Sequence, residues 1–206
     1  MILALATASA APTTLDAQRR GVAWDLSAGF GNGAGRIAAS GWVPYELAQG
    51  RVRVAFGVRI TGFGGEARSF ENRDGVQGAL ASTLPVDPSV YALNGAAAGE
   101  VRLGARLGVG ANIDLLGYAT GPRRAIGAVE LKPAQWSVLQ VGKRDRGSLN
   151  SEFYLSLHVS HRVRARAGAS HYVLGYRGTD NASASRPSAR YQRFETVPFV
   201  AVRLGW

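Results

Sequence analysis

The pairing with the clearest chemical potential lies in "HVSH", where His158 and Ser160 stand two residues apart. A histidine and a serine can act as base and nucleophile when they come within hydrogen-bond reach and an acidic group holds the imidazole. Three histidines, His158, His161 and His171, fall in two neighbouring segments. A metal ion needs converging ligands and an ordered shell behind them, and the spacing supplies neither, so no metal and no cofactor is expected. "GFGNGA" matches the loose form of a dinucleotide fingerprint but lacks the helix and the strand-helix-strand setting that would place a pyrophosphate. It reads as strand and turn.

The charged residues carry a stronger pattern. In "RVRVAFGVRITGF", Val52, Val54, Phe56, Val58 and Ile60 alternate with Arg53, Ala55, Gly57, Arg59 and Thr61. Successive side chains of a strand point to opposite faces, so this strand requires one apolar environment and one that is polar and well paired. The same alternation elsewhere places Asp25, Asn112, Asp114, Glu152, His158 and Arg203 with Arg53 and Arg59 on an inward face. An isolated buried ion costs several kcal/mol, so these residues are predicted to form an arginine and carboxylate network.

A second basic set lies between strand-like segments. Between Ala119 and Ser148, Arg123, Arg124, Lys132, Lys143, Arg144 and Arg146 face only Glu130 and Asp145, six positive charges against two negative. Arginine forks suit phosphates, so Arg123, Arg124, Lys143, Arg144 and Arg146 are candidate contacts to lipopolysaccharide; the plain alternative is a solvated loop. The segment "RGTDNASASRPSARYQR" adds Arg177, Arg186, Arg190 and Arg193 against Asp180.

These residues need elements to position them. Eight alternating segments can be marked, from "GVAWDLSAGFGN" to "FETVPFVAVRLGW", joined by turns that are mostly short and long by turns, with long polar loops near 64–88 and 121–148. Glycine, 27 residues, runs through the segments and weakens helices, and no apolar run approaches a membrane-spanning helix. Cysteine is absent, which removes disulfides and thiolate sites. The net charge of +10 is scattered and not gathered on a basic helix, which argues against nucleic acid. The expected fold is all-β: an eight-stranded antiparallel transmembrane up-and-down β-barrel over 19–206. Residues 1–18, with Ala8-Ser9-Ala10, read as a signal peptide lacking its basic region, or else as an Ala-rich tail. Two aromatic groups, Trp24, Trp42, Tyr45 and Trp206 at one end and Phe63, Tyr118, Phe153, Tyr176 and Phe194 at the other, are predicted to form interfacial girdles.

In the last segment, Val200, Val202, Leu204 and Trp206 alternate on one face. This pattern is similar to the carboxy-terminal assembly signal of outer-membrane β-barrel proteins, which implies the barrel-assembly machinery as a partner during biogenesis. "GVGANIDLLGYATG" and "DRGSLNSEFYLSL" resemble phrases in small outer-membrane barrel proteins of Gram-negative bacteria, and the size and strand count resemble the OmpA and OmpX type of barrel. The resemblance implies an integral protein of the bacterial outer membrane, in contact with its lipid and lipopolysaccharide. Its expected function is non-enzymatic, envelope integrity or surface interaction, through a polar plugged interior and basic external loops. Three alternatives differ in class: a narrow, porin-like channel, a soluble ligand-binding barrel, and a lipid A-modifying enzyme. The last draws on the lipid A deacylase family, whose histidine and serine spacing His158 and Ser160 match. Position 172, where that family's spacing would put an acid, is Tyr172.

Overall fold

The computed structural model describes residues 18, 19, 21–75, 78–140 and 146–205. The leader up to 17, Lys143, Arg144 and Trp206 lie outside the described residues. The short strand β1 (Gln18–Arg19) precedes β2 (Ala23–Gly31), β3 (Ala34–Leu47) and β4 (Val52–Gly65). Then come β5 (Arg68–Asn72), β6 (Thr83–Val86), β7 (Ser89–Arg102) and β8 (Leu107–Thr120). β9 (Arg124–Ile126), β10 (Val129–Pro133) and β11 (Trp136–Val138) lead to β12 (Leu149–His158), β13 (Val163–Asp180) and β14 (Ser188–Leu204). The fold is all-β, and among the described residues no helix is long and apolar enough to cross a membrane.

Every pairing is antiparallel. Following the pairs, β2 joins β3, β3 joins β4, β4 joins β7, β7 joins β8, β8 joins β12, and β12 joins β13. β14 pairs with β13 along 17 residues and with β2 from Phe199↔Gly29 to Leu204↔Trp24. The first hairpin shows how the sequence sets register. Asn32 and Gly33, with φ of 52° and 67°, form the two-residue turn between β2 and β3. Asn-Gly is the pair that best tolerates two successive left-handed residues, and its twist matches that of the flanking strands.

The two faces of this sheet are inverted relative to a water-soluble protein. Trp24, Leu26, Ile37, Phe56, Val58, Ile60, Leu93, Phe153, Leu155, Val200 and Val202 are exposed, while their strand neighbours Asp25, Arg36, Arg59, Asn94, Glu152 and Arg203 are buried. The buried face also holds Trp42 among Ala23, Ala55, Ala96 and Ala98, small residues that leave room for the indole. Gly57 belongs to the same arrangement: a Cβ there would meet the Gly41 carbonyl oxygen at 2.0 Å and the Trp42 ring at 2.9 Å.

At one end the polar layer gives way to an apolar cluster. Phe63, Phe70, Leu84, Val86, Leu131, Tyr172, Leu174 and Tyr191 pack together, with the Phe63 and Tyr172 rings stacked at 4.9 Å. Much of this cluster comes from β5, β6 and β10, inside the regions that the sequence reads as long polar loops. Their strands are only 4–5 residues long, too short to declare a period of two. β13 and β14 run correspondingly further than expected, leaving 181–187 between them.

The aromatic girdles need correction. Trp24, Tyr118 and Phe153 are exposed as expected, but Trp42, Phe63 and Tyr176 are buried. Trp42 shares the phase of Arg36, Ala38 and Ser40, so the alternation of β3 carries it inward despite its position near a strand end.

Candidate functional site: the buried charge network

The residues predicted to face inward lie on the buried face of the sheet. Asp25, Arg53, Arg59, Asn112, Asp114, Glu152 and Arg203 are buried, and the His158 side chain is 8% exposed at the end of β12. The structure brings Arg36, Arg164, Arg166 and Glu100 to the same face. Six buried arginines thus stand among four buried carboxylates, with Glu46 serving Arg53 from the edge.

The network has a centre. Glu152, on β12, lies 2.9 Å from Arg36, 3.4 Å from Arg59 and 3.6 Å from Arg166, and its Oε2 accepts the Asn112 amide at 2.6 Å. Asp25 accepts hydrogen bonds from Arg203 (2.8 Å) and Arg166. Asp114 lies 3.1 Å from Arg59 and accepts the Asn94 side chain (2.8 Å) and the Asn150 backbone N–H (3.0 Å). Strands β8 and β12 are neighbours, so Asn112 and Asp114 from one meet Asn150 and Glu152 from the other.

Towards the opposite end from the apolar cluster, Glu100 accepts from Arg164 (2.8 Å) and lies 3.8 Å from Arg53 and 3.3 Å from His158 Nε2. Aromatic faces complete the coordination. The Arg203 and Arg59 guanidiniums sit 5.4 and 5.8 Å from the Trp42 ring, and Arg166 sits 4.4 Å from Tyr154. A buried guanidinium is weakly hydrated and can use a ring face as well as a carboxylate. The arrangement is a buried network of paired charges.

Other candidates are dispersed. Ser160 lies exposed in the turn after β12, where its Oγ accepts the backbone N–H groups of Arg162 (3.3 Å) and Val163 (3.2 Å). The strand ends at His158, so Ser160 does not continue its alternation and the pair is not assembled as base and nucleophile. His171 bonds Thr196 (2.9 Å) and stacks on Phe194, and His161 is exposed in the turn. Among the described residues, no group of three His, Cys, Asp or Glu is placed to hold a metal ion.

The basic loop residues also separate. Arg123 pairs with Glu130 at 3.2 Å and Arg124 with Asp87 at 3.0 Å. Arg146 instead joins Lys132, Arg177 and Arg190 around a cleft of about 490 Å³. A concavity of about 1080 Å³ is lined by Leu26, Ile37, Ile60, Leu155 and Val200 of the exposed apolar face and also by Arg166 of the charge network.

Sequence reasoning missed Arg36, Glu100, Arg164 and Arg166. The last two carried a usable signal, since Arg164 and Arg166 alternate with Val163, Ala165 and Ala167. Glu100 follows "NGAAAG", where both faces are small and the alternation has no contrast. No family model matches the chain, and no curated protein matches it at a significant level.

Proposed function

We propose that the chain is an integral outer-membrane protein, an eight-stranded antiparallel β-barrel whose interior is sealed by its own charges and whose loops serve envelope integrity or surface interaction. The observation that carries this reading is the inversion of the sheet: apolar side chains exposed, charged ones buried and paired. Water on the outer face would leave a band of Leu, Ile, Val and Phe hydrated on every long strand, far beyond the few hundred Å² of contiguous apolar surface that soluble monomers carry. Lipid removes that cost. The continuous pairing from β2 through β14 and back to β2 supports closure, which satisfies each backbone group without water. A 14-residue strand such as β4 is about 46 Å long. Tilted by about 40° it spans about 35 Å, enough for an apolar band of about 25 Å.

A sealed interior separates this reading from a channel. Eight strands leave space only for side chains, and here Arg36, Arg59, Arg166, Arg203 and Glu152 occupy it beneath the cluster of Phe63, Tyr172 and Leu131. The absence of a joined His158 and Ser160 leaves lipid A hydrolysis without its nucleophile. The basic loops then become the surface that meets the envelope.

The test is membrane fractionation followed by electrophoresis of unheated and boiled protein in detergent, with conductance recorded in planar bilayers. Recovery with the outer membrane, a heat-dependent mobility shift and no discrete conductance are the expected results. Recovery as a soluble protein without such a shift would overturn the membrane assignment, and stable unitary currents would overturn the sealed interior.

A further inference from the structure

Three cations stand side by side on adjacent strands. Lys132 of β10 is directly opposite Arg177 of β13, and Arg177 is directly opposite Arg190 of β14. Opposite residues of an antiparallel pair share a face with Cβ atoms about 5 Å apart, and like charges in that position destabilise the sheet. Arg146 reaches the same cleft from the segment before β12. Among the described residues lining the cleft one is acidic: Asp74 binds Arg190 through two bonds of 2.7 and 2.9 Å and accepts the Arg190 backbone N–H at 2.9 Å. Among the described lining residues, Lys132, Arg146, Arg177 and Arg190 against Asp74 leave three positive charges around an opening of about 490 Å³.

The setting of the cleft narrows its ligand. Trp136, 72% exposed, lines it and meets Tyr118 edge to face at 5.7 Å. Tyr118 is exposed on β8, two residues after the apolar exposed Leu116, so the cations begin where the apolar surface ends. Arg177 donates to Ser188 Oγ at 3.1 Å, an anchor that holds one edge of its guanidinium and leaves further N–H groups for an oxyanion. A tetrahedral dianion with several acceptor oxygens can answer three cations at once, which a single carboxylate cannot.

From the in-register cations and the aromatic edge we infer that the cleft of Lys132, Arg146, Arg177 and Arg190 is a binding site for phosphoryl groups. This rests on the membrane reading for one source of the ligand, the phosphates of surrounding lipid headgroups; a soluble phosphorylated molecule is the other source with the same chemistry. The site refines the expected lipopolysaccharide contacts: of the five residues expected from sequence, Arg146 belongs to it, while Arg123 and Arg124 are bound by Glu130 and Asp87.

The experiment uses the full chain folded in detergent and native mass spectrometry, with bisphosphorylated lipid A, its dephosphorylated form and inorganic pyrophosphate as probes. Wild-type protein is expected to retain the phosphorylated lipid over the dephosphorylated one. Each cation removed should weaken binding about tenfold, the weight of one charge-assisted hydrogen bond. Lys132→Gln and Arg177→Gln are therefore expected to lose binding singly and more so together, whereas Arg123→Gln with Arg124→Gln should retain it. Pyrophosphate binding that shows the same variant pattern without lipid retention would support the site with a soluble ligand. Equal retention of both lipids with no pyrophosphate binding, or unchanged binding by the Lys132→Gln and Arg177→Gln double variant, would overturn it. Heat-modifiable migration is read on every sample. A variant that keeps the shift yet binds as wild type sinks the cleft alone, and a wild type that lacks the shift but binds pyrophosphate sinks the barrel while the cleft stands.

Discussion

Glu152→Gln is the perturbation that the buried network makes most informative. The substitution keeps the shape and one acceptor oxygen but removes a negative charge that faces Arg36, Arg59 and Arg166. Arg59 keeps Asp114 at 3.1 Å, and Arg166 keeps Asp25. Arg36 keeps the Ser27 hydroxyl at 3.2 Å and the Phe199 ring at 5.4 Å, neither of which is charged. Two unit charges at the Arg36 to Glu152 separation of 2.9 Å interact by about 6 kcal/mol at an effective dielectric of about 20. The retained amide hydrogen bond returns about 1 kcal/mol, and breaking one side of a buried pair costs about 3–5 kcal/mol in general. A loss of that size, with a urea m-value of about 2 kcal/mol/M, moves the unfolding midpoint down by about 2 M. Urea titration of the protein folded in lipid vesicles, followed by tryptophan fluorescence, measures it. Adding Arg36→Met to Glu152→Gln removes the orphaned cation and should recover all but about 1 kcal/mol, because a buried pair replaced as a pair is close to neutral. A midpoint within about 0.5 M of wild type for Glu152→Gln alone would refute the reasoning, since it would mean that water or counterions reach these charges.

Three further outcomes follow from particular contacts. Leu155→Arg, at a position 63% exposed on the outer face, should cost about 2–4 kcal/mol in lipid vesicles, against the near-neutral effect of a surface change in water; equal stability would contradict a lipid-facing sheet. Gly57→Val should abolish the folded, heat-modifiable form, because even a Cβ lies 2.0 Å from the Gly41 carbonyl oxygen, and recovery of normal yield would contradict that close approach. The Arg190 side-chain hydrogen bonds hold the Asp74 carboxyl below its ordinary range, so the stability it adds is present above about pH 4 and is lost as pH falls through its folded value. Both groups are partly exposed and the effect is screened, so it should show locally, as a drop in Arg190 amide protection in acid that Asp74→Asn flattens.

The long strands were legible because their two faces differ sharply. Where Arg53 and Arg59 alternate with Val54, Phe56 and Val58, the pattern states both the strand and which side each residue takes, and the buried set read from it stands together in space. Where both faces are small, as around Ala96 to Gly99 or Ala38 to Gly41, the pattern has little contrast, and Glu100, Arg36 and the inward turn of Trp42 escape it. The apolar cluster over the polar interior was illegible for a different reason. Phe70, Leu84 and Leu131 sit in strands of four or five residues whose pairing is set by distant partners, and tertiary contact of that kind leaves no local period. The same holds for the phosphoryl cleft: Lys132, Arg177 and Arg190 are far apart in sequence and become neighbours only through the register of β10, β13 and β14.

The charge network bears on register more than on strength. Buried ion pairs repay little beyond their own desolvation, so six arginines and their carboxylates add less stability than an apolar filling would. Their value lies in what they forbid. Side chains alternate with a period of two, so a slip of one residue between β3 and β4 would turn Arg59 outward and Ile60 inward. In lipid each such arginine costs about 2–4 kcal/mol at mid-depth, a penalty that an interior of leucines would not impose. Carboxylates on β2, β7, β8 and β12 meet arginines from β3, β4, β13 and β14, so an error in one pairing breaks contacts on several strands at once. The cluster of Phe63, Tyr172 and Leu131 can be apolar because it packs against short strands outside the exposed apolar band, where register is held by turns and tertiary contacts. On the membrane reading, inside and outside must differ in kind within that band, and paired charge is an interior that lipid cannot imitate.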